Sequence, residues 1–260
     1  GIYLPSSNGT LTGGIYVKGN GSVALSVNGL DQPVYTVTQG ASTYQITVDS
    51  AGNNTSVLNT SNGSSTTYTG MPNGTSSVGT LIFVDGNIDS FSGTVQKDTQ
   101  VTVASHNDLV ITNNVRYANY TPASGTPGTA GYVPPSAAGT DNLLGLVSWN
   151  GNVRIGTAAP DNVDVHGTVM AAGGVFSVDN YNQGSPRGKA TLLGGAITNN
   201  YGAFGQFNSQ TGQMITGYGR SFIYDTRMQE GMAPPYFPSL KTFIAFTNDI
   251  TDKLVWQEMN

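Results

Sequence analysis

Apolar and polar residues alternate with a period of two in short runs along most of the chain. This alternation is typical of β-strands that bury one face. No segment carries the capped i, i+3, i+4, i+7 apolar stripe of an amphipathic helix, and DNLLGLV (141–147) is too short to be one. The pattern therefore predicts a nearly all-β chain. The clearest alternating runs are YTVTQ (35–39), YQITVD (44–49), TLIFVDG (80–86), QVTVAS (100–105), LVITNN (109–114) and NVDVHGTV (162–169).

Gly-Asn stands between two apolar runs in IYVKGNGSVALS (15–26), IFVDGNIDSFSG (82–93) and VSWNGNVRIG (147–156). The Asp-Gly pair in the second stretch is also compatible with a two-residue hairpin turn. Short strands with frequent Gly and Asn corners favour a β-solenoid, since these residues tolerate left-handed dihedrals and Asn can hydrogen-bond along the coil axis. We predict a β-solenoid (β-helix) with long irregular loops. Because the period is irregular, a β-sandwich is the alternative.

Two polar segments interrupt the strand pattern. Residues 50–77 are rich in Asn, Ser, Thr and Gly, which predicts either a long decorated hairpin or a surface loop. Residues 119–140 are rich in Pro and Gly, which predicts a loop that leaves the body of the fold and returns. The chain is thus divided into N-terminal strands with a hairpin or loop (1–78) and a β-solenoid (79–260) that carries the loop 119–140.

The composition is compatible with a bacterial surface or extracellular protein. Only 10% of the 260 residues are charged, and there is no cysteine, which excludes disulfides and thiolate metal sites. No run approaches the roughly 20 apolar residues of a membrane span, and no signal peptide opens the sequence. We therefore expect no direct membrane contact by this chain, with any export signal or anchor outside the sequence given.

Charge is unevenly distributed in a way that bears on ligands. The net charge of -5 argues against a general nucleic-acid binder. Residues 181–241, however, carry five basic side chains against Asp225 and Glu230, and aromatic residues alternate with the basic ones. Cations for phosphates and rings for base stacking together hold DNA without reading its sequence. The predicted DNA-binding residues are Arg187, Lys189, Arg220, Arg227, Lys241, Tyr181, Tyr201 and Tyr218. For Arg227, pairing with Asp225 or capping of the last coil is the alternative.

A closing motif, Tyr-Asp-x-Arg followed by Pro-Pro-x-Phe-Pro, is formed by Tyr224, Asp225, Arg227, Pro234, Pro235, Phe237 and Pro238. Strand and Gly-Asn motifs precede it in 79–118, 141–155, 163–178 and 192–205, and the closing motif itself lies in 217–238. Together these stretches, between 79 and 258, resemble a β-solenoid domain of bacterial pilin-like envelope proteins, which include competence-associated minor pilins. The resemblance implies a place at the cell surface on a type IV pilus, contact with other pilins, and non-specific binding of double-stranded DNA during natural transformation.

Candidate catalytic and metal-binding residues are scattered. Asp161 and Asp164 are three apart in a predicted strand, which would direct them to opposite faces, and Asp85 and Asp89 flank a corner. The histidines, His106 and His166, have no neighbouring His or Cys at ligand spacing. We therefore predict a non-enzymatic protein with no metal or other cofactor.

The alternative function is that of an adhesin or structural module that binds glycans or other envelope proteins. In that case aromatic residues would serve as platforms for sugar rings, and the segments 50–77 and 119–140 would be contact surfaces. Salt dependence distinguishes the two functions, because phosphate contacts weaken with ionic strength and sugar stacking does not.

Overall fold

The computed structural model describes residues 1–73 and 79–237. Within them the chain forms β-strands and one short 3-10 helix, Thr226–Glu230, so the all-β prediction is confirmed. The strands join into one large mixed sheet that is not closed. Among the described residues, no helix has the length and apolarity that crossing a membrane requires. The strands are β1 (Ile2–Tyr3), β2 (Ser6–Ser7), β3 (Thr10–Leu11), β4 (Ile15–Lys18), β5 (Gly21–Val27), β6 (Pro33–Gln39), β7 (Ser42–Asp49), β8 (Asn54–Asn59), β9 (Ser65–Thr69), β10 (Thr80–Asp85), β11 (Ile88–Val95), β12 (Gln100–Ser105), β13 (Leu109–Tyr117), β14 (Leu143–Ser148), β15 (Val153–Ile155), β16 (Asp164–Val178), β17 (Pro186–Tyr201), β18 (Gly205–Phe207) and β19 (Met214–Tyr224).

Parallel ladders organise the chain from β4 onward. One ladder stacks β4, β10, β12, β14, β16 and β17 in that order. A second stacks β5, β11, β13, β15 and then the C-terminal parts of β16 and β17. A third passes from β13 through the N-terminal parts of β16 and β17 to β19. Successive stretches of chain are therefore laid on one another in parallel.

The register of these ladders places apolar side chains on apolar side chains, which builds the core in columns. Most members of the columns are buried. At the β17–β19 end of the columns the side chains are exposed to solvent: Tyr201 is 93% exposed and Phe222 is 47% exposed. The columns are Ile15–Ile82–Val103–Leu146–Val169–Ala196, Gly21–Ile88–Leu109–Val153–Phe176–Tyr201 and Val115–Val165–Leu192–Phe222.

The Gly-Asn motif marks a corner between ladders. β10 and β11, which flank it in 82–93, pair with different partner strands. We call each successive stretch of chain in the parallel stack a level. At this corner, a side-chain oxygen of each level accepts a hydrogen bond from a backbone N–H of the next level. The N–H of Asn87 donates to Asn20 Oδ1 (3.0 Å) and that of Asp108 to Asn87 Oδ1 (3.2 Å). The N–H of Asn152 donates to Asp108 Oδ1 (2.8 Å), and that of Val175 to Asn152 Oδ1 (2.9 Å). Backbone groups that a corner would leave unpaired are thereby satisfied.

The N-terminal part pairs differently. Strands β5 to β9 form an antiparallel meander, and β1 pairs antiparallel with β4, which covers that end of the first ladder. Strands β8 and β9 lie in the polar segment 50–77, of which residues 74–77 are outside the described residues.

Residues 119–140 form the predicted excursion. They connect β13 to β14 and contain the isolated bridges Thr121–Ser136 and Ser124–Val133 instead of a regular strand. The loop lies over the outward-facing side chains of β16, because Tyr120 packs edge-on against the ring of His166 at a centroid distance of 4.4 Å. Residues of the loop and of β16 line a pocket between them.

Candidate functional site

Two of the predicted DNA-binding residues are buried. Arg227 is 3% exposed and its guanidinium binds the carboxylate of Asp225 at 2.7 Å. The same guanidinium donates to the carbonyls of Thr140 and Asn142. Tyr218 is completely buried and donates its hydroxyl to the carbonyl of Pro160 at 2.9 Å. Neither side chain presents its polar group to solvent, so we leave both out of any ligand-contacting set.

Arg187 is partly exposed but its charge is satisfied internally. Its Nε donates to Asp161 Oδ1 at 3.0 Å, and its other nitrogens donate to the carbonyls of Thr157 and Ala159. The guanidinium also lies 4.8 Å from the centroid of the Tyr218 ring. Arg187 therefore closes a turn around residues 157–161.

The two other predicted basic residues that the structure describes, Lys189 and Arg220, lie on different faces of the sheet. In the parallel register of β17 and β19, Arg220 pairs with the buried Ala190, whereas Lys189 pairs with Gly219. Adjacent strand residues point to opposite faces, so Lys189 and Arg220 project from opposite sides of the sheet. Of the predicted aromatic contacts, Tyr181 and Tyr201 are exposed. Lys241 lies outside the described residues.

A pocket of about 360 Å³ lies between the loop 119–140 and the outer face of β16 and β17. It combines aromatic rings from the loop with polar side chains from the strands, which is the composition of small-ligand sites. We call it the loop pocket. Its lining includes Tyr120, Tyr132, Asn162, Asp164, His166 and Lys189.

His166 is the most unusual group in the loop pocket. It is 1% exposed, and its Nδ1 accepts a hydrogen bond from the backbone N–H of Tyr117 at 3.1 Å. Burial, with a smaller contribution from the cationic Arg116, lowers the pKa of His166 to about 3. The imidazole is therefore neutral at physiological pH and carries its proton on Nε2. Among the described residues nothing accepts a hydrogen bond from that nitrogen, and the ring borders the pocket.

The buried histidine predicts a loss of stability on acidification. The pKa of His166 is about 3 in the fold, against 6.5 for an ordinary histidine. Between these values the unfolded chain binds more protons, so the free energy of unfolding falls as pH drops from 6.5 towards 3, by at most ~1.4 kcal/mol per pH unit from this group. Urea denaturation measured at about pH 7, 6 and 5 checks this slope.

The matched variants for this prediction are His166→Asn and His106→Asn. His106 is exposed and contacts Asn150 at 3.1 Å. We expect His166→Asn to flatten the dependence of stability on pH and His106→Asn to leave it unchanged. Equal slopes for wild type and His166→Asn would show that His166 is not the group responsible.

Charges around the loop pocket are mostly paired. Asp164 Oδ2 accepts a hydrogen bond from Arg116 Nε and forms an ion-pair contact with Nη2 of the same guanidinium, at 2.8 Å in both cases. Asp161 is held by Arg187. Lys189 is exposed and forms no ion pair within the described residues. One uncompensated positive charge therefore remains at the edge of the pocket.

A second concavity lies at the β17–β19 end, where the apolar columns emerge. We call it the end groove; its volume is about 260 Å³. The guanidinium of Arg220 lies 4.8 Å from the centroid of the Phe204 ring, which packs edge-on against Phe176 and Phe222. The most exposed ring here is that of Tyr201. The end groove is defined by Phe176, Tyr201, Phe204, Arg220 and Phe222.

The other candidate carboxylates lie away from both concavities. Asp85 accepts a hydrogen bond from the hydroxyl of Tyr16 at 3.0 Å, and Asp89 is in β11. Within residues 1–73 and 79–237, no three His, Asp or Glu side chains come close enough together to hold a metal ion.

No protein-family model, no curated protein and no solved structure matches this chain. The geometry therefore carries the functional argument. Sequence reasoning did not single out Tyr120, Tyr132 or Asn162, which lie in the loop and in the turn before β16. The available signal was the pair of tyrosines in a Pro/Gly-rich loop, since rigid loops on a β scaffold often carry binding residues.

Proposed function

We propose that this chain is a non-enzymatic, surface-exposed binding module in which the parallel ladders are the coils of a β-solenoid and the loop pocket binds a saccharide. The solenoid is supported by the three parallel ladders, the apolar columns and the side-chain hydrogen bonds that repeat from level to level at the Gly-Asn corner. Such a scaffold is rigid and holds loop 119–140 in a fixed place.

The observation that carries the saccharide proposal is the neutral Nε2–H of His166 at the wall of a pocket that two tyrosines also line. Sugars present apolar C–H faces and many hydroxyls, so their sites pair aromatic rings with neutral donors and acceptors. Tyr120 and Tyr132 provide rings, while His166 and Asn162 provide polar groups. Among the described residues the Nε2–H of His166 has no hydrogen-bond partner, and a sugar hydroxyl in the pocket would accept its hydrogen bond.

The carboxylates beside the pocket support binding without catalysis. A glycosidase needs two carboxyl groups that flank the bond to be cleaved, one of them poised to release a proton. Here Asp164 forms an ion pair with Arg116, and Asp161 forms one with Arg187. Among the described residues only Asp164 contributes a carboxylate to the pocket lining, so the pair of flanking carboxyl groups that a glycosidase needs is not present there.

The saccharide proposal predicts specific losses of affinity. On an array of neutral and acidic oligosaccharides, we expect binding by the wild-type chain and a loss of about tenfold, or ~1.4 kcal/mol, for Tyr120→Ala and for Tyr132→Ala. Tyr201→Ala, in the end groove, is the matched control and should bind as wild type. Thermal denaturation of each variant verifies folding. An array without any bound sugar, or equal affinity of all three variants, would contradict the proposal.

DNA binding is the second candidate, and one observation favours it. The end groove places the exposed ring of Tyr201 near the cation of Arg220, with Phe222 also exposed. Rings with an adjacent cation suit base stacking and phosphate contact. The resemblance to pilin-like envelope proteins supports the same function, as well as a place on the bacterial surface among the pilins of a type IV pilus.

Fluorescence anisotropy of labelled single- and double-stranded DNA across a salt series tests the second candidate. We expect affinity that falls steeply with salt, and a decrease of about one in the salt slope for Arg220→Gln. Lys18→Gln, at an exposed lysine in β4, should not change the slope. Absence of binding at low salt would exclude DNA as a ligand of this chain and leave the loop pocket as the binding site.

A further inference from the structure

We propose that the loop pocket selects an acidic sugar, with the carboxylate of a uronic acid unit placed beside Lys189. This inference rests on the proposed saccharide function and names its ligand class. The reason is that the pocket presents one positive charge with no internal partner.

The charge balance of the pocket follows from its ion pairs. Asp164 is the carboxylate that lines the pocket, and it is neutralised by Arg116 through two contacts of 2.8 Å. His166 is neutral because burial keeps its pKa far below physiological pH. Lys189 therefore remains as the unbalanced charge, since no carboxylate within the described residues pairs with it.

The backbone beneath Lys189 is fixed, which defines where its side chain starts. The N–H of Lys189 donates to Asn162 Oδ1 at 3.1 Å, and the N–H of Asn162 donates to the carbonyl of Arg187. Gly188 adopts φ +79°, and a Cβ at that position would overlap the side chain of Asn162. The start of β17 is thus held against the turn before β16, and the side chain of Lys189 extends from a defined edge of the pocket.

The neutral groups of the pocket complement a carboxylated sugar. Thr191 and Ser221 line the wall on the same face of the sheet as Lys189, in register with Asp164. Their hydroxyls and the Nε2–H of His166 can donate to a carboxylate or to ring hydroxyls. A volume of about 360 Å³ is within the range of small-ligand sites, so the selection applies to a short segment of a glycan rather than to a long chain.

Matched pairs of probes isolate the effect of charge. Oligomers of galacturonate, glucuronate and mannuronate are each compared with their methyl esters, which keep the sugar and remove the charge. By isothermal titration calorimetry we expect at least one acid to bind about tenfold tighter than its ester, and this preference to weaken as salt is raised.

Variants of Lys189 test whether its ammonium group causes the preference for the acid over its methyl ester. Lys189→Gln should bind acid and ester equally while retaining affinity for the ester, and Lys189→Arg should keep the preference. Lys18→Gln is the remote control and should behave as wild type.

The outcomes separate this inference from the function on which it rests. Equal binding of acid and ester in every pair, or binding of neutral sugars alone, would overturn acid selection and leave the saccharide site intact. A preference that survives in Lys189→Gln would also overturn it. Failure of every sugar to bind would overturn the proposed function itself, and binding of DNA in competition with the sugar would place both ligands at one site.

Discussion

Replacing Arg227 by alanine is expected to destabilise the protein by about 3–5 kcal/mol, because the substitution leaves the buried carboxylate of Asp225 without its partner. Asp225 is 3% exposed. Arg227 also donates to the carbonyls of Thr140 (2.9 Å) and Asn142 (2.7 Å) and lies 4.9 Å from the centroid of the Tyr117 ring. The Arg227 side chain thus connects the 3-10 helix after β19 to the end of loop 119–140 and to β13. Urea denaturation, followed by circular dichroism, measures the loss.

Lys97→Ala is the control for this prediction. Lys97 lies 3.7 Å from Asp31 and 3.9 Å from Asp98, but all three side chains are largely exposed. Exposed pairs contribute 0 to about 1 kcal/mol, so this variant should be nearly as stable as wild type. A cost below about 1 kcal/mol for Arg227→Ala would contradict the account of a buried, structural arginine.

Replacing Gly194 by alanine is expected to cost about 3 kcal/mol or more, because both the conformation and the space at this position require glycine. Gly194 has φ +155°, in a region that other residues rarely adopt. It pairs with Gly167 of β16 on one side and with Tyr224 of β19 on the other. A Cβ would overlap the carbonyl oxygen of Gly167, which has no room to move within the ladder. Thermal unfolding of the variant measures the effect.

Gly29→Ala provides the comparison. Gly29 lies in the exposed turn between β5 and β6, has no positive φ, and would meet no atom within 4 Å of an added Cβ. We expect its stability to remain within about 0.5 kcal/mol of wild type. If Gly194→Ala were equally harmless, the close parallel stacking of β16 and β17 would not describe the molecule in solution.

The strand pattern and the corners were predictable from local sequence. Alternation in 80–86 and 100–105 corresponds to β10 and β12, and the Gly-Asn stretch 82–93 is a corner at which Asn87 links two levels. These features depend on side-chain alternation and on residues tolerant of special dihedrals, both of which are visible within a few positions.

The functional residues were harder to predict because their environments are set by distant segments. Arg227 is buried by carbonyls at Thr140 and Asn142, more than eighty residues earlier in the chain. Burial is the main cause of the low pKa of His166, and the loop 119–140 contributes to this burial by placing Tyr120 against its ring. Local sequence shows that a residue can be charged or aromatic, but it does not show which segment will cover it.

The same limit applies to the predicted basic surface. Counting charges between 181 and 241 indicated a locally positive segment, whereas the register of β17 and β19 directs Lys189 and Arg220 to opposite faces. Whether two neighbouring cations cooperate depends on strand alternation and pairing register, which a charge count does not contain.

The most direct test of the central claim is amide hydrogen exchange of the whole chain with and without a saturating concentration of the tightest oligosaccharide from the array. We expect slower exchange in 119–135, at 162–166, at the start of β17 and around Ser221 of β19, with no change around Tyr201 in the end groove. Protection confined to the end groove around Tyr201 and Arg220, or no protection in the loop and its underlying strands, would contradict a saccharide site in the loop pocket.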